Sequence, residues 1–211
     1  QNAETKERRK EVIEPLTNYN VLVLDQRFRQ NSSVSFVNSN TTRNGNFRDA
    51  NVSALLFDLS TKANSYNLYG DFKYSSINTI EDYNGFKTSL NFAKTSGKYR
   101  YSLSGRYTSR DYDNNDLGIN FYNNFNNLYS NLSYRILNPT KQFNTFRFQN
   151  EFSLAYDNTT GKLQEGYYKP TIKATTKRNH YFELGLDIKP FEAYDFYEPR
   201  IFGRYLAVPK S

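Results

Sequence analysis

Cysteine, methionine and tryptophan are absent from this 211-residue chain, and histidine occurs once. Without cysteine there is no disulfide framework, no thiolate metal site and no thiol nucleophile. One histidine excludes a metal centre built on a histidine cluster. With 37% hydrophobic residues, a mean hydropathy of −0.83 and no apolar run near the roughly 20 residues of a membrane-crossing helix, a helical membrane protein is excluded. Gly-rich phosphate loops and nucleotide motifs are also missing, so no cofactor is expected. The opening Gln1-Asn2-Ala3-Glu4-Thr5 has no apolar signal segment, and without an initial methionine the chain reads as an internal or processed piece of a longer protein.

What is present is aromatic and basic. Tyrosine (19) and phenylalanine (17) supply 17% of the residues, spread along the whole chain in a way soluble domains rarely show. The net charge of +7, from 28 Lys and Arg against 21 Asp and Glu, suits nucleic acid, anionic lipid or an acidic ligand. Where the charges sit decides between these.

The length favours one unit. Residues 1–15 form a polar N-terminal segment, in which Lys6, Arg8, Arg9 and Lys10 lie among Glu4, Glu7, Glu11 and Glu14 before Pro15. Such mixed charge runs are ordinarily solvated. Residues 16–211 read as a single β segment of roughly 12 strand-like runs, punctuated by Asn, Asp, Gly, Ser and Thr clusters.

Strict alternation carries the argument. In Tyr66–Ser75, Tyr66, Leu68, Gly70, Phe72 and Tyr74 share one face, and Asn67, Tyr69, Asp71, Lys73 and Ser75 the other. Phe86, Thr88, Leu90 and Phe92 oppose Lys87, Ser89, Asn91 and Ala93; Tyr99, Tyr101, Leu103, Gly105 and Tyr107 oppose Arg100, Ser102, Ser104, Arg106 and Thr108. The same sorting separates Phe146, Phe148, Phe152 and Leu154 from Arg147, Gln149, Glu151 and Ser153, and Phe182, Leu184, Leu186 and Ile188 from Glu183, Gly185, Asp187 and Lys189. Nearly every charge lies on the polar face, Lys94 at a strand end being the exception. A charge facing lipid at the bilayer midplane costs about 2–4 kcal/mol, so a lipid-facing surface demands this sorting.

The expected fold is therefore an all-β, antiparallel up-and-down transmembrane β-barrel, of which this chain supplies part. A soluble sandwich also sorts its faces, with shorter strands and a second sheet to share its core. The aromatic pairs near strand ends, Tyr66 with Tyr74 and Tyr99 with Tyr107, favour the girdles of a membrane barrel. Connections alternate in length as well: Arg29–Ser32, Thr61–Ser65 and Thr95–Lys98 are tight, and Arg43–Asp49, Ser76–Gly85 and Arg110–Asp116 longer, up to about Asn138. Short periplasmic turns and long outer loops have that asymmetry.

Three stretches, Asn18–Gln26, Asp113–Phe121 with its Asn-Asp-Leu-Gly turn, and Tyr194–Arg200, resemble the barrel region of a Bacteroidetes outer-membrane family whose members carry an N-terminal carbohydrate-binding-family-9-like domain. The resemblance covers the chain from about residue 16 and implies an outer-membrane location and a link to glycan handling. It brings no activity to carry over. The binding domain and further strands of that family are not in this sequence, which implies a fragment of the barrel.

Candidate chemistry is sparse. Asp111, Asp113, Asn115 and Asp116 have the acid spacing of a calcium loop, but Asp116 stands where glycine belongs and Tyr122 where the bidentate glutamate belongs, so a solvated turn is the preferred reading. His180 would need a serine and a carboxylate close in space to act as a hydrolase base. Asp195, Glu198 and Arg200 suit an Arg–carboxylate brace better than a glycosidase pair. The distributed candidate is the polar face: Lys73, Lys87, Arg100, Arg106, Arg135, Arg147, Lys169 and Lys173 would line a mostly positive lumen with Asp71, Glu151, Glu183 and Asp187. Such a lumen selects anionic solutes, docks an acidic plug or fills with mutual ion pairs.

The expected function is a non-enzymatic outer-membrane barrel for solute or glycan uptake or surface binding. Its expected partners are outer-membrane lipid, a glycan ligand and other envelope proteins. A membrane-embedded hydrolase and a soluble basic β-sandwich binding module are the alternatives. Nucleic acid is not an expected partner, because single-strand binders mix aromatics and cations on one face and these strands separate them.

Overall fold

A computed structural model describes residues 12–116, 123–136, 138–196, 198–201 and 204–211. The charged opening up to Glu11, the Leu117–Phe121 part of the central resemblance, Tyr122 and Tyr197 lie outside them. Twelve strands are formed among the described residues. They are β1 (Thr17–Phe28), β2 (Ser32–Arg43), β3 (Asp49–Ser60), β4 (Tyr66–Asn78), β5 (Tyr83–Lys94), β6 (Tyr99–Thr108), β7 (Phe125–Ile136), β8 (Phe143–Asp157), β9 (Leu163–Thr176), β10 (Tyr181–Gly185), β11 (Ala193–Asp195) and β12 (Leu206–Val208). The first ten make one antiparallel sheet in chain order, each strand hydrogen-bonded to the next; β11 and β12 pair separately. The sheet is open, with β1 and β10 as its edges.

Because residues directly opposite across two strands share a face, the register carries one face through the whole sheet. One row runs Leu24–Phe36–Leu55–Phe72–Thr88–Tyr107; its neighbour on the other face runs Val23–Val37–Ala54–Lys73–Lys87–Thr108. Extended through all the pairings, these rows put the charged residues of β1 to β10 on one face. The exceptions are Asp49, which opens β3, and Lys94, which closes β5. The alternation seen in the sequence is thus realised in the register.

The burial of the two faces is inverted relative to a water-soluble sheet. Small polar-face residues such as Thr41, Ser75 and Thr108 are completely buried, whereas Leu90, Leu103 and Leu132 on the apolar face are 52–53% exposed. Full burial of a leucine is worth roughly 1.5–3 kcal/mol, so in water each of these would forgo about half of that. No second sheet covers the apolar face among the described residues.

Aromatic rings cluster in two bands on the exposed face. Near one end Phe86 stacks with Phe72 and Tyr107 at 6.0 and 5.3 Å between centroids. Near the other, Tyr66 stacks on Phe92 at 6.1 Å, and Tyr99, Tyr134 and Phe146 form a chain at 4.9 and 6.3 Å. Leu90 and Leu128 belong to the row between the bands, joined through Gly105.

Two expectations are corrected. The long connection read over Ser76–Gly85 is a four-residue turn, Thr79–Asp82, because Ser75, Ser76 and Ile77 pair with Gly85, Asn84 and Tyr83 and extend both strands. Ser75, Ser76, Asn84 and Gly85 mimic a loop in composition, although Ser75 and Gly85 lie under the segment that follows β6. The run Phe182–Lys189, the clearest alternation in the sequence, is a regular strand only to Gly185. Leu186 N–H donates to Pro170 O at 3.1 Å, but Pro170 has no N–H to return a bond, and the ladder lapses before resuming in the same register at Ile188 and Tyr168.

Candidate functional site

The register brings all eight expected cations onto the polar face and sorts them into groups. Lys73 lies opposite Lys87, and the adjacent row joins Asp71, Ser89 and Arg106. Toward the opposite end of the sheet, Arg135, Arg147, Lys173 and Glu183 form one continuous row, with Arg100 in the next row opposite Ser133. Lys169 pairs with Asp187 at 2.9 Å, Lys173 with Glu183 at 2.7 Å and Lys73 with Asp71 at 3.6 Å. These half-exposed pairs are worth at most about 1 kcal/mol each. Ion pairs on the polar face thus engage Lys73, Lys169 and Lys173, whereas the Nε atoms of Arg135 and Arg147 are enclosed without a partner.

Above Lys87 the connection after β6 folds back onto the polar face. Tyr112 is buried to 2% exposure, with the Lys87 ammonium 5.9 Å from its ring centre. The backbone of Asp111–Tyr112 lies so close to Gly85 that a Cβ there would meet Tyr112 N at 2.1 Å and Asp111 C at 2.3 Å. Glycine inside a strand often marks such a close backbone approach. Asp113 N–H donates to Ser75 Oγ at 3.0 Å and completes the seat.

Two arginines lock this segment, Arg43 at the end of β2 and Arg48 in the β2–β3 turn. Arg43 Nη2 donates to Asp116 Oδ1 at 2.6 Å. Arg48 straddles both acids, with Nη2 at 2.5 Å from Asp116 Oδ2 and 3.0 Å from Asp113 Oδ2 and Nε at 3.1 Å from Asp116 Oδ2. Its Nη1 donates to Tyr83 Oη at 3.0 Å, and the Tyr83 hydroxyl donates to Asp113 Oδ2 at 2.9 Å. Multiple guanidinium–carboxylate contacts give direction as well as attraction. The acid spacing that resembled a calcium loop serves Arg43 and Arg48 instead, and no group of three metal-ligating residues occurs among the described residues.

Electrostatics reinforce the lock. Burial works to raise the Asp113 carboxyl, but the Asn115 N–H, the Tyr83 hydroxyl and the Arg48 guanidinium outweigh it and hold it below the ordinary carboxylate range. Burial lowers the Arg48 guanidinium, and the Asp116 and Asp113 carboxylates more than reverse that, so it stays charged. A carboxyl depressed on folding stabilises the fold at pH above its unfolded value near 4, and that stability is lost as pH falls through the lower folded value. The segment is therefore expected to stay seated at pH 5 and to release only in stronger acid. Amide exchange at Tyr112 and Asp113 followed from pH 7 to 3 checks this; release already at pH 5 would contradict it.

The C-terminal residues cover another part of the polar face. Lys162 Nζ sits over both Tyr194 and Tyr205, 4.4 and 3.8 Å from the ring centres, and Ala193 is buried. Between the β11–β12 hairpin and strands β6–β9 lies an open cleft of about 730 Å³, lined among others by Arg106, Tyr129, Glu165, Tyr167, Asp195 and Glu198. Asp195 Oδ1 accepts the Glu198 N–H at 3.1 Å, and Arg200 lines a neighbouring cavity of about 450 Å³ with Arg110 and Asp157. His180 is an exposed turn residue between β9 and β10 whose carbonyl accepts the Thr176 N–H at 2.9 Å.

Sequence reasoning missed Arg43, Arg48, Tyr83 and Gly85 as site residues. The legible signal was Gly85, a glycine beside an alternating run. Arg43 and Arg48 carry none, since their acids lie 73 and 65–68 positions away.

No curated protein and no solved structure matches the chain significantly. A family model spans residues 1–211 without a gap at either end. The chain belongs to the family described as Domain of unknown function (DUF5916).

Proposed function

We propose that this chain forms wall strands of an outer-membrane β-barrel that takes up or binds solutes or glycans and performs no catalysis. One observation carries the reading: no second layer covers the apolar face among the described residues, Leu55, Leu90, Leu103 and Leu132 stand half exposed on it, and its charged residues, Asp49 and Lys94, stand at strand ends. Lipid is the environment in which that face is an advantage. Its dimensions agree. From the Tyr74–Phe86 row to the Tyr66 row is eight residues, about 27 Å along a strand at ~3.4 Å each; tilted by about 40°, this spans about 21 Å, close to the ~25 Å apolar band of such barrels.

An open edge in lipid leaves N–H and C=O groups unsatisfied at several kcal/mol each, so in this reading β1 and β10 pair with further strands to close the wall. The resemblance to Bacteroidetes outer-membrane proteins with a carbohydrate-binding-family-9-like domain fits, and supports a glycan as the bound or transported solute. Cells expressing the full-length protein are to be fractionated without detergent, and the extracted protein run on gels with and without heating. Outer-membrane recovery with a heat-dependent mobility shift is the expected result. Recovery in the aqueous fraction would sink the barrel and require a cover for the apolar face.

A further inference from the structure

We propose that Arg100, Arg135 and Arg147 form an oxyanion site on the polar face, built to hold a carboxylate or phosphate group carried by a solute. The inference rests on the lumen reading for its biological setting, and on geometry for its chemistry. Arg135 and Arg147 are direct cross-strand partners, and like charges directly opposite are destabilising. Arg100 occupies the adjacent row through Ser133, and its Nε donates to Gly97 O at 3.2 Å, which anchors the guanidinium at the β5–β6 turn.

The carboxylates along these rows are engaged elsewhere. Glu183 binds Lys173 at 2.7 Å and accepts the Tyr181 hydroxyl; Glu151, four residues along β8 from Arg147, accepts from Asn131 and Gln149. Three guanidinium groups thus share one neighbourhood with no ion pair to any of them among the described residues. The Nε atoms of Arg135 and Arg147 are moreover shut off from solvent without an acceptor. Both side chains are only half-buried overall, so an incoming oxyanion can meet the accessible part of the two guanidinium groups and offset the repulsion between them. Arginine's planar fork matches carboxylate and phosphate oxygens two at a time, whereas a neutral sugar hydroxyl would leave the repulsion in place.

The full-length protein in detergent, at low salt, is to be titrated calorimetrically with glucuronate and with inorganic phosphate. Saturable binding of at least one is expected, weakened tenfold or more in the Arg135→Gln/Arg147→Gln double variant and unchanged in Arg27→Gln, a polar-face arginine paired with Asp25 at 3.3 Å. The double variant removes a repulsion, so its thermal transition should be no lower than that of the natural protein, which separates lost binding from lost folding. Preference for glucuronate assigns an acidic sugar, and preference for phosphate a phosphorylated solute. No binding of either, or equal affinity in the double variant, overturns the site. Arginine-dependent binding by a protein recovered in the aqueous fraction would keep the site and defeat the barrel; membrane recovery without such binding would do the reverse.

Discussion

Replacing Gly85 by alanine is expected to drive the Asp111–Asp113 segment off the polar face. The added methyl would lie 2.1–2.3 Å from backbone atoms of Asp111 and Tyr112, and backbone, unlike the tip of a side chain, has no easy way to yield. What is lost is the burial of the Tyr112 ring, worth about 1.5–3 kcal/mol, and the Ser75–Asp113 hydrogen bond, worth about 1. The seat should weaken by about 3 kcal/mol, and amide exchange at Tyr112 and Asp113 should accelerate by roughly two powers of ten. The same substitution at Gly105 is the control, because a Cβ there meets nothing within 4 Å. If Gly85→Ala left exchange in the segment unchanged, the close packing on Gly85 would not be what seats it.

Arg48→Met is expected to loosen the same segment from the other side. It removes the donors shared by Asp113 and Asp116 while Arg43 still holds Asp116 and Tyr83 still holds Asp113. Removing one partner of a buried ion pair costs about 3–5 kcal/mol; with Arg48 a third exposed, about 2 kcal/mol is the expected loss at neutral pH. The pH dependence gives the sign. Without the guanidinium the Asp113 carboxyl rises, so the variant should suffer most at pH 7, where both acids repel each other, and the deficit should shrink as pH falls through the carboxylate range. Limited proteolysis at pH 7 and at pH 4 reads the difference. A deficit that grew in acid would mean that Arg48 acts by packing its stem rather than through its charge.

Both variants act on a segment that covers the polar face at one end of the strands, while Arg135 and Arg147 sit at the other. In the proposed barrel a solute would therefore meet the seated segment and the oxyanion site in succession. Unseating the segment should change access without touching Arg135 or Arg147.

The strands and their two faces were legible in the sequence because both are local properties. A period of two fixes which side chains share a face, and the avoidance of charge on one face is visible in any single strand, as in Tyr99–Thr108. The lapse at Leu186 was legible in part, since Pro170 could be seen to lack a donor, but not which residue would face it. The turn at Thr79–Asp82 misled because Ser75, Ser76, Asn84 and Gly85 have loop-like chemistry, and of these Ser75 and Gly85 lie beneath a segment that only the tertiary structure places there.

The β architecture and the sorting of charge were thus written in the chain, since each follows from neighbours two residues apart. The tertiary structure alone decided that Arg135 stands against Arg147, that Arg48 reaches Asp113 and Asp116, and that the last residues cover β6–β9. Those outcomes depend on inter-strand register and on loops folding back over the sheet, and such contacts between distant positions leave no periodic trace in a single chain.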